Sequence, residues 1–302
     1  MAKFTIEEAM NRALELALIG PAFGVNPQVG ALILSDSGEV LGEGYHKGAG
    51  TPHAEIEALN QVRQIHGSIP MGSTAVVTLE PCNHTGRTGP CSQALIDAGI
   101  KKVVFASSDP GELSGGGAKT LRENGIEVIE GLLKEKADRQ NRVWLTFASS
   151  NRPFVTLKWA SSLDGRAAAD DGSSKWISGE QSRNDAHLLR SNVDAILVGT
   201  GTCEIDNPEL TARKINGSLF EHQPLRVILG ERELSRDLRV FNEAAETIQL
   251  KTQSIHGALS ELHSRGVKHL LVEGGPTIAS RFIQLELVDE FHIYLAPKLL
   301  GG

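Results

Sequence analysis

The chain has 302 residues, of which 40% are hydrophobic and 22% are charged, a balance typical of soluble globular proteins. Its length is comfortable for two domains of ordinary size. The 30 basic and 37 acidic residues give a net charge of −7, which disfavours a broad nucleic-acid-binding face. No apolar run approaches the roughly 20 residues needed to span a bilayer, and no signal peptide is recognisable, so we expect a cytoplasmic protein without a membrane partner.

The first half of the sequence alternates helix and strand patterns. Thr5 and Glu8 form a capping box ahead of apolar residues at helical spacing, which predicts the first helix. Strands are then predicted at 29–35, 39–45, 74–79, 101–106 and 126–130, and helices at 53–66, 91–98, 118–124 and 132–145. This order predicts an α/β layered domain over residues 1–149, which ends at the short polar run before Pro153.

The second half, residues 150–302, begins the alternation again. Strands are predicted at 153–160, 194–199, 225–229, 268–273 and 289–296, and helices at 179–190, 256–265 and 277–285. There is no Gly-x-Gly-x-x-Gly after the first strand, so a Rossmann domain is not indicated. Gly274 and Gly275 instead join a strand to a helix that starts with Pro276, where a phosphate could approach the helix N-terminus. An ordinary strand-to-helix turn would give the same pattern.

Three short segments of the first half carry residues that can bind a metal. His53 opens a predicted helix, Cys82 directly follows a predicted strand, and Cys91 opens the next helix. One imidazole and two thiolates, with the fourth position open, are typical of catalytic rather than structural zinc. At a helix N-terminus the pKa of a cysteine is lowered, so we expect Cys91 to favour the thiolate that metal binding requires.

Glu55 lies two residues beyond His53 and can reach a zinc-bound water without binding the metal. Zinc lowers the pKa of that water towards ~7, and Glu55 can pass its proton to departing ammonia. This is the zinc deaminase pattern of His-x-Glu, then Pro-Cys and a second Cys. Eight residues separate Cys82 from Cys91 here, whereas nucleoside and base deaminases have two. The alternative is two buried thiols beside a surface histidine.

The segment Pro81-Cys82-Asn83-His84-Thr85-Gly86-Arg87-Thr88-Gly89-Pro90-Cys91 resembles the long zinc loop of the bifunctional riboflavin biosynthesis deaminase–reductase family. The resemblance implies a cytidine-deaminase-like α/β/α domain followed by a dihydrofolate-reductase-like α/β domain. It also implies zinc-dependent deamination of a diaminohydroxyphosphoribosylaminopyrimidine. The residues that it assigns to the pyrimidine and its phosphoribosyl arm are Asn26, His46, His84, Arg87 and Asp109.

The resemblance continues through the second half, from Lys158-Trp159-Ala160-Ser161-Ser162-Leu163-Asp164-Gly165-Arg166 to the Gly274-Gly275 turn. It implies NADPH-dependent reduction of a ribosyl to a ribityl group, with Lys158 aiding ring opening. NADPH would contact Ala160, Trp176, Thr202, Asp206, Gly274 and Gly275. The substrate would contact Ser174, Arg190, Leu210, Arg213 and Glu273. A homo-oligomer is the expectation for the family.

Two other functions remain open from the sequence. Relatives usually run on beyond the position of Gly302, so the reductase domain is expected to be shortened, and the chain could be a deaminase only. A degenerate module that binds a pyrimidine nucleotide without turnover is the other alternative. The presence of Glu55 argues against it, because binding alone needs no proton shuttle. A nucleic-acid deaminase is opposed by the net charge and the cysteine spacing.

Overall fold

The computed structural model describes residues 3–24, 26–84, 89–111, 114–167 and 179–301. The chain divides into two compact units, Met1–Ser150 and Asn151–Gly302, and each is built around one β-sheet. Among the described residues, no helix has both the length and the apolar character needed to cross a membrane.

The first unit contains a five-stranded mixed sheet in the order β2-β1-β3-β4-β5. Its strands are β1 Gly30–Leu34, β2 Val40–Tyr45, β3 Thr74–Leu79, β4 Lys102–Ser107 and β5 Glu127–Glu130. Strand β1 is antiparallel to both β2 and β3, whereas β3, β4 and β5 run parallel. All residues of β1 and β3 are buried, because helices cover both faces of the sheet at its centre.

Helices form a layer on each face of this sheet. They are α1 Ile6–Ala17, α2 Ala54–His66, α3 Cys91–Asp97, α4 Gly117–Glu123, α5 Lys134–Gln140 and α6 Arg142–Ser149. One apolar cluster joins α2, α3 and α4 to the sheet, and a second joins α1 and α5 to the opposite face. The predicted α/β/α layering is therefore confirmed. The capping box of Thr5 and Glu8 is also present at the start of α1.

The predicted single helix over 132–145 is wrong, because the chain breaks at Asn141 between α5 and α6. The buried Asn141 side chain accepts a hydrogen bond from Gln28 N at 3.1 Å and donates one to Gln28 O at 2.8 Å. A short polar side chain that bonds to backbone elsewhere interrupts helical structure readily. This break fixes the start of α6 against the segment that precedes β1.

The second unit contains a six-stranded sheet in the order β11-β6-β10-β7-β8-β9, in which every described pair is parallel. Its strands are β6 Phe154–Ser162, β7 Ala195–Gly199, β8 Leu225–Leu229, β9 Thr247–Leu250, β10 His269–Val272 and β11 Glu290–Ala296. Its helices are α7 Glu180–Arg190, α8 Thr200–Asp206, α9 Ile255–Ser264 and α10 Pro276–Gln284, with a 3₁₀ turn at Arg239–Phe241.

The sequence analysis missed two elements of this unit. Strand β9 has only four residues, all half-buried, so it lacks an alternating apolar pattern. Helix α8 contains Gly201 and follows β7 without a loop, so its start has no capping signal. Parallel pairing of β6 with β10 brings Leu157 opposite Val272, and the polar residues that follow each strand therefore meet at one edge of the sheet.

Candidate active sites

The three predicted metal ligands converge in the first unit. His53 is the N-cap of α2, Cys82 follows β3, and Cys91 is the first residue of α3. His53 Nδ1 lies 3.6 Å from Cys82 Sγ and 3.2 Å from Cys91 Sγ, and the three ligand atoms all lie within 4.8 Å of one another. These residues belong to three separate segments of the sequence, and the fold brings their donor atoms together.

The donor set fits zinc in kind and in spacing. Zinc–sulfur bonds of ~2.3 Å and zinc–nitrogen bonds of ~2.0 Å at a tetrahedral angle place sulfur and nitrogen about 3.5 Å apart. The observed separations of 3.6 and 3.2 Å bracket that value. Two thiolates and one imidazole leave the fourth position to a solvent molecule or substrate, as in catalytic zinc sites. His53, Cys82 and Cys91 would therefore hold the ion.

The two thiols divide their charge unequally. A hydrogen bond from the Cys91 thiol, together with His53, lowers the pKa of Cys82 to about 4. The pKa of Cys91 is raised, because its proton is held by Cys82 and because Cys91 is buried. The first N–H of α3 points at Cys82 Sγ, 3.4 Å away. That Cys91 supplies the thiolate required for metal binding stays a prediction. A divalent cation would remove this inequality, because it deprotonates a coordinating thiol outright.

Glu55 is buried beside the cluster on the first turn of α2, with 4% of its surface exposed. Burial, and then the negative charge of Cys82, raise the pKa of Glu55 to about 7. A carboxyl group with a pKa near neutrality is suited to both taking and giving a proton. The predicted proton shuttle thus lines the same cavity as His53 and Cys82.

Asn26 and His46 form one hydrogen-bonded pair at the edge of this cavity. Asn26 Nδ2 lies 2.7 Å from His46 Nε2, and His46 Nδ1 lies 3.1 Å from the carbonyl oxygen of Pro52. Burial lowers the pKa of His46, which favours the neutral imidazole. A neutral ring that donates from Nδ1 to Pro52 can accept the Asn26 amide at Nε2.

The cavity has a volume of about 340 Å³, which is suited to a small heterocycle. Its lining includes most of the residues predicted for the deaminase site: Asn26, His46, His53, Glu55, Cys82, His84 and Asp109. Asp109 Oδ1 accepts a hydrogen bond from Gly111 N at 2.8 Å, and burial raises the pKa of its carboxyl group. Arg87, predicted to bind the phosphate, lies outside the described residues.

A second cavity, of about 840 Å³, lies in the other unit at the edge where β6 and β10 end. Its lining includes these residues predicted for the cofactor or substrate: Lys158, Ala160, Arg190, Asp206, Glu273, Gly274 and Gly275. The volume is large enough for a nucleotide cofactor beside a second ligand. The residues come from β6, α7, α8 and the turn after β10, so the cavity depends on the whole sheet.

Glu273 lies between two cations in this cavity. Arg190 donates to Glu273 from Nε at 2.7 Å and from Nη2 at 2.9 Å, and Lys158 Nζ lies 3.5 Å from Glu273 Oε2. Burial alone would raise the pKa of Glu273, but the two cations outweigh it and hold the pKa at about 2. Glu273 is therefore ionised at neutral pH, and its charge holds the Lys158 ammonium in the cavity.

The two glycines after β10 have different packing. A Cβ atom added to Gly274 would lie 2.7 Å from Ile278 Cβ, so the close approach of α10 requires a glycine there. A Cβ atom added to Gly275 would meet no atom closer than Thr202 Oγ1 at 3.7 Å, and its φ of −64° suits any residue. Local packing does not explain Gly275. The open space beside Gly275 is compatible with the predicted cofactor contact at the start of α10.

Comparison with known proteins identifies the family. Residues 4–107 match the cytidine and deoxycytidylate deaminase zinc-binding region, and residues 153–302 match the RibD C-terminal domain. The chain is 44% identical to the riboflavin biosynthesis protein RibD of Corynebacterium ammoniagenes, over 98% of this chain and 87% of that protein. The chain belongs to the RibD family. It is 38% identical to RibD of Escherichia coli K12, over 98% and 89% of the two chains.

Solved structures give the same assignment. A diaminohydroxyphosphoribosylaminopyrimidine deaminase/5-amino-6-(5-phosphoribosylamino)uracil reductase of Thermotoga maritima superposes with a TM-score of 0.89 at 38% identity, covering 98% of this chain and 88% of that chain. RibD of Acinetobacter baumannii, form 1, has a TM-score of 0.89 at 39% identity and the same coverage. Both fold predictions are confirmed. The chain is a RibD-family bifunctional deaminase and reductase of riboflavin biosynthesis.

Five residues predicted for the RibD reductase site are not in the described cavity wall. Thr202 lies beside Gly275, and Leu210 is buried with a positive φ of 53°. Arg213 donates from Nε to Thr211 Oγ1 at 3.0 Å and pairs with Glu209. Ser174 and Trp176 lie outside the described residues.

Three residues of the RibD sites escaped the sequence analysis. Glu80 and Trp144 line the deaminase cavity, and Tyr294 of β11 lies beside Lys158, whose Nζ is 5.4 Å from the ring centroid. The Tyr294 hydroxyl donates to Asp185 Oδ2 at 2.7 Å, across 109 residues of sequence. Only Glu80, which directly precedes Pro81-Cys82, had a local signal that could have revealed it.

Proposed function

We propose that the first unit removes an exocyclic amino group from 2,5-diamino-6-(5-phosphoribosylamino)pyrimidin-4-one. The observation that carries this proposal is the cluster of His53, Cys82 and Cys91 donor atoms, beside a cavity that Glu55 and the Asn26–His46 pair also line. The Thermotoga maritima protein described above is a diaminohydroxyphosphoribosylaminopyrimidine deaminase/5-amino-6-(5-phosphoribosylamino)uracil reductase. The donors, the buried carboxyl group and the base-edge amide together suit hydrolytic deamination of a pyrimidine.

Zinc, when bound by His53, Cys82 and Cys91, supplies a water whose pKa is lowered towards ~7. Glu55 takes a proton from the attacking water and delivers it to the amino group, which leaves as ammonia. Water and amine are thereby converted to a ring carbonyl and ammonia, and Glu55 returns to its starting state. Its burial keeps bulk water from competing for that proton.

We propose that polar groups of the cavity wall hold the ring. Asn26 lines the cavity, and an asparagine amide is a side chain that can read a base edge. His46 fixes the orientation of that amide through its 2.7 Å contact. We assign His84, Arg87 and Asp109 to the phosphoribosyl arm, with Arg87 supplying the bidentate cation that suits phosphate.

We propose that the second unit reduces the ribosyl group of the deaminated product to a ribityl group with NADPH. NADPH supplies the hydride when bound. Lys158 can donate a proton to the ribose ring oxygen as the ring opens, and the ionised Glu273 holds its ammonium in place. The cofactor residues are Ala160, Trp176, Thr202, Asp206, Gly274 and Gly275, and the substrate residues are Ser174, Arg190, Leu210, Arg213 and Glu273.

We also propose that residues 1–149 are the deaminase domain and 150–302 the reductase domain. The close agreement with the compact units and the matched family regions supports this division. We infer that the protein is a homo-oligomer in the cytoplasm. We also infer that it acts on small molecules and not on nucleic acid. The net charge of −7 and the two small-molecule cavities support it.

The test follows both products in one reaction. Zinc-loaded protein is incubated with the diaminopyrimidine substrate and NADPH, while ammonia release and loss of nicotinamide absorbance are recorded together. Both signals are expected, and Glu55→Gln should abolish ammonia release. Glu55→Gln should still oxidise NADPH when the deaminated intermediate is supplied directly. Ammonia without NADPH loss would contradict the reductase assignment, and absence of both would contradict the whole proposal.

A further inference from the structure

Trp144 occupies a position in the deaminase cavity that the chemistry above leaves unassigned. It lies on α6, lines the cavity together with Val29 and Leu79, and is only partly buried although it packs against the apolar core. Tryptophan side chains are rarely fully buried, so the informative feature is where the exposed part of the indole lies. Part of this indole instead forms the wall of the cavity.

Asn141 holds this wall in position. Its side-chain amide bonds both N and O of Gln28, at 3.1 and 2.8 Å, and Gln28 Nε2 in turn donates to Gly20 O at 2.7 Å. Asn141 precedes α6, and Trp144 follows three residues later, one helical turn away. The helix carrying Trp144 and the segment carrying Asn26 are therefore fixed to each other by two hydrogen bonds.

The described lining combines hydrogen-bonding groups with one large aromatic surface. Hydrogen-bonding groups are supplied by Asn26, Glu55 and Asp109, and groups of this kind bind the edge of a planar ring. The imidazoles of His46 and His53 are engaged in hydrogen bonds with their neighbours. The indole of Trp144 is the large apolar aromatic surface of the described lining.

We propose that the pyrimidine ring of the substrate packs against the indole of Trp144, and that this contact sets the affinity of the deaminase site for a planar heterocycle. The inference rests on the proposed function, because it concerns the ring that is deaminated. Aromatic side chains bind bases through their π-faces with little regard to sequence or substituent, whereas hydrogen bonds read the edge. Trp144 is thus a binding residue, and Asn141 is the positioning residue behind it.

Steady-state kinetics of ammonia release test this proposal with matched variants of one helix. Trp144→Phe keeps an aromatic face and should change KM less than threefold, whereas Trp144→Leu should raise KM about 10-fold with little change in kcat. Phe147→Leu is the control, since Phe147 lies on the same helix but is not part of the described cavity wall. It should leave KM unchanged.

Fluorescence provides a readout that does not depend on turnover. With Trp159→Phe and Trp176→Phe, Trp144 is the only tryptophan of the chain. In a Glu55→Gln background, which blocks the proton transfer, the substrate should quench or shift the emission of Trp144. Unchanged emission at saturating substrate would overturn the proposal. An unchanged KM in Trp144→Leu would also overturn it. So would an equal rise of KM in Phe147→Leu together with a lowered Tm.

Different results would overturn the proposed function and the role of Trp144. If the wild-type protein releases no ammonia from the diaminopyrimidine, the proposed function fails and the role of Trp144 fails with it. If the wild-type protein turns over and Trp144→Leu retains its KM, only the role of Trp144 is overturned.

Discussion

Arg190 and Glu273 form a buried ion pair, with hydrogen bonds of 2.7 and 2.9 Å in a place where 8% of the Glu273 side chain is exposed. The pair joins α7 to the end of β10 across 83 residues of sequence, and it places the carboxylate within reach of Lys158. One contact thus stabilises the second unit and sets the charge state of its cavity.

Breaking this pair should destabilise the second unit strongly. Glu273→Gln leaves the Arg190 guanidinium buried without a counter-ion, which typically costs about 3–5 kcal/mol. Hydrogen exchange of α7 and β10, measured by mass spectrometry, should report this loss locally. Glu233→Gln is the matched control, because it breaks the exposed Lys251–Glu233 pair and should change nothing measurable. Equal protection in both variants would contradict the role assigned to the pair.

The same pair predicts a pH dependence of stability. Since the folded pKa of Glu273 is lowered to about 2 from 4.5, its contribution is fully present above about pH 4.5 and is lost as the pH falls towards 2. The difference in α7 and β10 protection between wild type and Glu273→Gln should be constant from pH 5 to 8 and should shrink below about pH 4.5. A difference that instead shrinks as the pH rises from 5 to 8 would contradict this sign.

Alanine substitutions at the neighbouring Gly274 and Gly275 should affect stability and NADPH affinity differently. Gly274→Ala forces Cβ to 2.7 Å from Ile278 Cβ, and overpacking of this kind costs about 1–3 kcal/mol. Gly275→Ala has room for its Cβ, so stability should be unchanged while KM for NADPH rises about 10-fold or more. Denaturant unfolding and NADPH-dependent turnover separate the two effects. Unchanged NADPH affinity in Gly275→Ala would remove this turn from the cofactor site.

Local signals explain which site residues could be predicted from the sequence. His53 stands at a helix start, Cys82 follows a strand, and Cys91 stands at another helix start. Their positions could therefore be predicted from the helix and strand patterns of the sequence. The cluster of three donor residues was therefore predicted from three segments without knowledge of their contacts.

Long-range contacts explain what could not be predicted. Asn141 accepts a hydrogen bond from Gln28 N, 113 residues away in the sequence. It interrupts a stretch whose apolar spacing indicates one helix. The first N–H of α3 points at Cys82 Sγ, and only the folded chain determines that direction. The same holds for Trp144, whose spacing on α6 is that of any core residue.

Glu80 gives the last prediction, because it links the zinc-ligand segment to the loop that carries Asp109. It precedes Pro81-Cys82, is 8% exposed, and accepts hydrogen bonds from Asp109 N at 3.2 Å and Ala118 N at 2.9 Å. Glu80→Gln keeps the size of the side chain but offers one oxygen where two N–H groups need acceptors. One buried donor is therefore left without an acceptor, which lowers the free energy of unfolding by about 1–3 kcal/mol.

The expected result of Glu80→Gln is a KM for deamination raised about 10-fold, with one zinc per chain retained by metal analysis. The zinc is retained because none of its three ligands is altered, whereas the Asp109 loop loses its anchor. Glu130→Gln, which removes the exposed partner of Arg122 at the end of β5, is the control and should leave KM unchanged. Loss of zinc from Glu80→Gln would mean that this carboxylate supports the ligand segment and not the substrate loop.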